Sequence, residues 1–233
     1  MKLKILCLIL LSLVLTGCGR YFLVDVDSIC TSTAKAKKKY ILLPGNKDCK
    51  ASDLQFIEFS AYADRALQRA GFVKASSLDE ADVGIILGYG ISDPQTYQYT
   101  YSVPQYGQTG VSSSTTSGNV YAYSNSVSYS QTTTYKPSYG VVGYTTHVGT
   151  SVYYVRYLAL SGYDLTQYKK SKKVKDADQI WTTNATSVGA SGDLREIFPI
   201  LLAASQEHIA ESSGKVQSYK LSENDKRIRE LQN

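Results

Sequence analysis

The chain has 233 residues, a formal charge of +5, 43% hydrophobic residues and 19% charged ones. This suits one domain plus an extension and excludes a wholly disordered polymer. The two histidines, His147 and His208, lie far apart, and no Cys/His spacing has the pattern of a zinc site. Neither a metal nor a cofactor is therefore expected.

The first stretch decides where the rest will live. Lys2 and Lys4 precede an apolar run over 5–15, broken only by Ser12, and then come Thr16, Gly17 and Cys18. This is the layout of a secretory signal peptide. The run is about half of the ~20 residues a spanning helix needs. Leu15-Thr16-Gly17-Cys18 resembles the lipobox of bacterial lipoproteins. That resemblance implies a diacylglycerol thioether on Cys18, cleavage before it, and acylation (palmitate or a similar chain) of the new amino group. Residues 1–17 would be the leader, and the protein would hold to the membrane by its lipid anchor. Several acyl chains are needed for a stable hold. Gly19 stands where Asp would retain an enteric lipoprotein in the inner membrane, so the expected address is the outer membrane, facing the periplasm. Loss of Lys2 and Lys4 with the leader lowers the charge from +5 to +3. Such an exported chain points away from nucleic acid. The lysine clusters Lys35, Lys37, Lys38, Lys39 and Lys169, Lys170, Lys172, Lys173, Lys175 read as solvated loops. Cys30 and Cys49 are the even pair left in an oxidising compartment, and a disulfide between them is expected. Closing a loop of that size is worth roughly 3 kcal/mol.

From Leu23 to Cys30 the polar residues fall roughly at alternate positions, the pattern of a half-buried strand. A basic loop follows, completing a lipidated N-terminal segment at 18–38. Tyr40-Ile41-Leu42-Leu43 is a short strand ended by Pro44-Gly45-Asn46. Ser52 with Gln55 predicts a capping box. Phe56, Phe59, Ala63, Ala66, Leu67 and Ala70 then form one apolar helical face that stops at Gly71. Phe72-Val73-Lys74 starts another strand, and 77–82 reads as one polar helical turn. Residues 83–91 read as a central strand whose glycines imply a close neighbour or a bulge.

The next segment differs. Lys136 is the only charged residue between Asp93 and Arg156, and ten of the chain's twenty tyrosines lie in 97–150. Tyr97, Tyr99, Tyr101 and Val103 alternate with polar residues, as do Tyr121, Tyr123, Val127 and Tyr129. Both patterns have the period of a strand. The middle, 107–119, has no periodicity. The segment reads as a long protruding hairpin with a mobile tip there; the alternative is plain low-complexity disorder.

Two strands, 153–164 and 179–189, joined by the second lysine run, follow as a hairpin. Trp181 is expected to pack on the sheet. Asp193 with Glu196 predicts a second capping pattern, and Pro199 predicts a kink before a helix running to about Glu211. Residues 212–233 read as a polar tail, with a short helix near 223–231. The expected fold is α+β: a mixed, mostly antiparallel sheet with two helices on one face and a long Tyr/Ser/Thr-rich β-hairpin insertion. Phe59, Leu67, Ile86, Trp181, Ile197 and Leu201 are the expected core.

The motifs 40–44 (Tyr-Ile-Leu-Leu-Pro), 66–72 (Ala-Leu-Gln-Arg-Ala-Gly-Phe), 81–85 (Ala-Asp-Val-Gly-Ile), 179–183 (Gln-Ile-Trp-Thr-Thr) and 193–199 (Asp-Leu-Arg-Glu-Ile-Phe-Pro) occur in that order. The chain thereby resembles the Gram-negative lipoproteins catalogued as domain of unknown function 4136. The resemblance covers roughly 39–209 of a domain expected at 39–211 and leaves out the insertion at 97–150. It implies no reaction and no catalytic residues.

No enzyme is legible in the residues. His208 reads as a core-edge residue. Asp79, Glu80 and Asp82 read as a solvated turn, and Arg195 as part of a helix start. No Gly-x-Ser-x-Gly marks a nucleophile. The expected function is a non-catalytic binding or assembly module of the cell envelope. Tyr97, Tyr99, Tyr101, Tyr121, Tyr123 and Tyr129 would form its surface. Candidate partners are an envelope protein, a cell-wall polymer, or a second copy paired through the Tyr-rich hairpin. The alternative is an envelope hydrolase acting on cell-wall or glycan material.

Overall fold

The computed structural model describes residues 20–123, 126–173 and 177–232, without the side chains of 122–127. The leader, Cys18, Gly19 and Lys175 lie outside the described residues. The chain forms two compact units, one up to Gln95 and from Tyr153 onward, the other Thr96–Val152. Its elements are β1 (Tyr21–Cys30), β2 (Lys39–Pro44), α1 (Leu54–Arg69), β3 (Val73–Lys74), β4 (Val83–Ile91), β5 (Gln95–Tyr123), β6 (Ser126–Asp164), α2 (Thr166–Ser171), β7 (Asp178–Gly189), α3 (Leu194–Ser205), β8 (Gln217–Ser222) and α4 (Lys226–Gln232). Two 3-10 turns, Ala34–Ala36 and Gln206–His208, complete the described set.

In the first unit the sheet order is β3-β2-β4-β6-β7-β1-β8. β2 runs parallel to β3 and β4, while β4–β6, β6–β7, β7–β1 and β1–β8 are antiparallel. The fold is therefore the mixed, mostly antiparallel α+β arrangement. The parallel pair needs a crossover, and α1 supplies it between β2 and β3.

Alternation decides which face of the sheet is covered. Along β4, Val83, Ile85, Leu87 and Tyr89 are buried, whereas Ile86, Gly88, Gly90 and Ile91 are only half-buried. α1 and α3 lie over the buried face. Phe59 of α1 stacks on Phe198 of α3, with ring centroids 4.1 Å apart and planes within 4°, and both rings meet Tyr89. Leu67, Trp181, Ile197 and Leu201 are buried as expected. Ile86 is not. The period of two in a strand turns it to the opposite face, and Ile85 takes the core position.

The strand glycines serve neighbouring side chains. Gly90 pairs with Tyr157 in the ladder, and a Cβ at Gly90 would come within 2.6 Å of the Tyr157 ring. Gly162 pairs with Trp181 in the same way, and the indole occupies the place of the missing side chain.

Several expectations change. α1 begins after Asp53, not Ser52. The Asp53 carboxylate turns back to accept from the Lys50 amide at 2.8 Å, closing the preceding turn instead of capping the helix. At α3, Asp193 does cap, accepting from Arg195 N at 2.9 Å. Glu196 reaches Ser191 Oγ and Arg20 instead of the Asp193 amide. α3 is continuous through Pro199 and ends at Ser205. Pro199 removes a single intrahelical bond near the N-terminus, where few bonds have yet formed. Residues 78–80 are a turn, not helix. Part of the second lysine run forms α2.

The last segment is no loose tail: β8 pairs with β1, and Ile228 and Leu231 of α4 are buried in the core. The two cysteines do not meet. Cys30 pairs with Trp181 on β7, and its Sγ lies 3.5 Å from Ser212 Oγ. Cys49 Sγ lies 3.8 Å from the Tyr89 hydroxyl of β4. Both are free thiols. Two strands, β7 and β6, separate β1 from β4, a gap of about 14 Å by strand spacing. That exceeds the ~7 Å between Cα atoms a disulfide tolerates. The expected disulfide is therefore corrected.

The second unit is a two-stranded ribbon of β5 paired with β6. The aperiodic stretch 107–119 lies within β5 and is no tip. Hydroxyl bonds across the ribbon take the place of apolar alternation there: Ser112 Oγ donates to Lys136 O at 3.0 Å, and the Thr116 and Thr133 hydroxyls meet at 2.9 Å.

Candidate binding surface

Three of the six expected tyrosines form one row. Tyr97, Tyr99 and Tyr101 stand at alternate positions of β5, so their side chains share a face of the ribbon. Their centroids are 5.9 and 6.0 Å apart. His147 of β6 extends the row, stacking on Tyr101 at 5.6 Å with planes 23° apart. All three tyrosines are about half exposed, so the row presents ring faces and hydroxyls to solvent. Gly149 makes it possible, since a Cβ there would lie 2.6 Å from the Tyr99 ring.

Tyr129 repeats the device. Its ring lies over Gly118, and its hydroxyl donates to Gln131 Oε1 at 2.6 Å. Tyr121 is exposed in the same stretch. Tyr123 belongs to β5, but its side chain is outside the description. These residues do not join the Tyr97 row. Twenty positions of extended strand separate Tyr101 from Tyr121, about 65 Å. The sequence reading missed His147 as a member of the row, and Gly118 and Gly149 as its supports. It also missed Tyr106, Tyr135, Tyr139 and Tyr144, all well exposed. A glycine opposite an aromatic was the available signal, but it requires the register.

Among the described side chains of 96–152 none is buried. The only charge in the ribbon is Lys136.

The residues weighed for chemistry disperse. His208 Nε2 meets the Tyr219 hydroxyl at 2.6 Å. Asp79 pairs with Lys172, Glu80 accepts from Ser76 N, and Asp82 accepts from Lys39 N. Arg195 is held by Glu58. The buried Ser28 hydroxyl meets the Thr183 hydroxyl and the carbonyls of His208 and Glu211, which ties the turn after α3 to the sheet. Burial raises the Tyr40 and Tyr89 hydroxyls above their usual range; beyond that, Asp64 accepts from Tyr40, and Cys49 lies beside Tyr89. Among the described residues no cluster of three His, Cys, Asp or Glu side chains could hold a metal. Among them, too, no helix is long and apolar enough to cross a membrane.

No family model matches the chain, and no curated protein does. A solved structure described as a PDZ domain protein from Parabacteroides distasonis ATCC 8503 aligns with 87% of this chain and 39% of its own. The sequence identity is 13% and the TM-score 0.37. This chain thus spans well under half of that protein.

Proposed function

We propose that the protein is a non-catalytic envelope module, anchored by lipid at Cys18, probing or building an assembly through its Tyr-rich ribbon. The lipobox and the ordered motifs of the lipoproteins it resembles support the address: the periplasmic side of the outer membrane. The observation that carries the role is a long ribbon whose described side chains are all accessible. A two-stranded ribbon in water is marginal by itself, so covering partners stabilise it. Its edges lack the lysines, prolines and inward charges that usually block strand addition, apart from Lys136 and Pro137 in β6 and Pro104 in β5. The Tyr97–Tyr99–Tyr101–His147 row adds rigid aromatic faces with hydroxyls that tolerate water. Strand addition to a second copy fits these features best.

The test compares the chain with a variant in which residues 105–149 are replaced by a short Gly-containing turn. Sedimentation of the purified protein and capture from envelope extract are the readouts. Concentration-dependent association that the deletion abolishes supports self-assembly. Capture of another envelope protein or of wall polymer, lost in the deletion while the pure chain stays monomeric, moves the partner but keeps the binding role. Association and capture that survive the deletion overturn the proposal.

A further inference from the structure

A pocket of about 290 Å³ lies between the start of β1, β6 and the segment leading from β7 to α3. Its size is near the lower end of the ~300–1,000 Å³ of small-molecule sites. Arg20, Phe22, Arg156, Gly189 and Ser191 are among its lining residues. Alternation along β6 turns Arg156 to the same face as the buried Leu158 and Leu160, and Arg156 is itself 1% exposed. Gly189 makes room for it, since a Cβ there would lie 2.9 Å from Arg156 Nη1.

A guanidinium keeps its proton in a protein, so Arg156 is a permanent charge taken out of water. Such a charge is costly unless an opposite charge meets it. Nη1 donates to the Tyr154 carbonyl at 3.3 Å and Nη2 to the Ser187 hydroxyl at 3.1 Å, and Nε has no partner among the described residues. These bonds leave over half of the guanidinium donors unused. No carboxylate lines the pocket. Glu196, on the first turn of α3, has both oxygens engaged, Oε1 by Arg20 Nη1 and Oε2 by the Ser191 hydroxyl, each at 2.6 Å. Its charge favours the Arg156 cation, but burial outweighs it and pulls the Arg156 pKa below its ordinary value. Around the mouth stand Asp193, Lys220 and Glu223, charges of both signs and all exposed, so water screens them. Selection therefore rests on the buried Arg156 and not on the sum of charges nearby. Arg20 adds a second guanidinium at the mouth, held over the Phe22 ring at 5.4 Å and bonded to Glu196 through Nη1 alone.

We propose that this pocket binds a phosphate group, held by Arg156 at its floor and by Arg20 at its mouth. A planar carboxylate is satisfied by one guanidinium fork, whereas a tetrahedral phosphate has oxygens for both. Two sources share this chemistry: a small free phosphate and the headgroup of a phospholipid. The lipid source rests on the anchor at Cys18, which would hold Arg20 within ~7 Å of chain from the acyl groups. The phosphate site itself does not rest on the anchor, nor on the ribbon.

The test titrates the purified full chain, in non-ionic detergent at constant ionic strength, with inorganic phosphate, glycerol 3-phosphate, glycerophosphoglycerol and acetate. Calorimetry reads binding, and Trp181 fluorescence reads the thermal midpoint. Saturable binding of a phosphate compound at one site, with a raised midpoint and no such effect of acetate, is expected. Tighter binding of glycerophosphoglycerol than of inorganic phosphate supports the site and assigns it to a lipid headgroup; the reverse order supports the site and assigns it to a free phosphate. Arg156→Met should abolish both binding and the shift, while its ligand-free midpoint equals or exceeds the parent's, because an uncompensated buried charge is gone. Arg20→Gln, at the surface, should weaken binding about fivefold, the equivalent of losing one exposed charge pair. A purely structural Arg156 gives the opposite pattern: a lower midpoint in Arg156→Met and no phosphate shift in either protein. That pattern, or binding unchanged in both variants, overturns the site. Acetate binding as tightly as phosphate overturns the choice of ligand.

Discussion

Gly162 shows how one residue sets the packing of the core. The Trp181 indole occupies the position where a Cβ would stand, on a side chain that is itself buried beside Phe72 at 6.0 Å between centroids. A buried ring has nowhere to withdraw, so Gly162→Ala should destabilise the protein by about 1–3 kcal/mol, the usual range for overpacking. Chemical denaturation measures it, and an unchanged midpoint would show that the ring can move. Asp164 makes a pH prediction. Burial, the largest single influence, pushes its pKa up, but bonds from Thr166 Oγ1 and N at 2.6 and 2.8 Å, together with Lys37, outweigh it and leave the carboxyl below its ordinary value. A depressed carboxylate contributes stability above its unfolded pKa and loses it as pH falls through the folded one. The stability difference between the parent and Asp164→Asn should therefore be constant down to about pH 5 and shrink below about pH 4. A difference that grows on acidification would reverse the sign. Arg156 has no such legible partner: it is 1% exposed, its Nη atoms reach Tyr154 O and Ser187 Oγ, and its Nε has no partner among the described residues.

At the scale of elements, legibility followed the strength of the periodic signal. β1, β2, β4 and β7 alternate or run apolar between turn residues, and the expected segments match the structure closely. α1 shows its face through Phe56, Phe59, Ala63, Ala66 and Leu67, all buried. Other positions depend on partners remote in sequence. Ile85 and Ile86 are chemically equivalent, and only the helices above the sheet decide which one is covered. The cysteines flank β2 in sequence, yet the strand order sends β1 to the other side of β7, which no local pattern encodes. β8 was hidden because only Tyr219 and Leu221 of Gln217–Ser222 carry apolar bulk, both on the face turned toward the core. α4 was foreseen as a helix but not as part of the core. Leu231 is fully buried there, and the Arg65 guanidinium donates to its carbonyl at 2.5 Å. Leu231→Ala should therefore cost about 2–5 kcal/mol, as for other buried leucines. A loss within ~0.5 kcal/mol, the range of ordinary surface changes, would return the segment to the status of a tail.

At the scale of the whole molecule, the two units have opposite energetics. The first buries Phe59, Phe198, Trp181, Leu201 and their neighbours under two helices, so hydrophobic burial stabilises it. The second buries none of its described side chains and relies on ladder bonds and stacked rings. Its candidate row was half legible: the alternation announced Tyr97, Tyr99 and Tyr101, but the cross-strand His147 and Gly149 needed the pairing. This asymmetry predicts that removing residues 105–149 through a short Gly-containing turn leaves the core folded. Every residue of the hydrophobic cluster is retained. Trp181 is the chain's only tryptophan and lies in that cluster, so its fluorescence reports on the core alone. The expected result is one cooperative thermal transition of Trp181, with a midpoint within about 4 °C of the parent, a change of ~1 kcal/mol or less for a domain of this size. Loss of that transition, or a much lower midpoint, would mean that the core requires the ribbon, and the division into two independently stabilised units would fail.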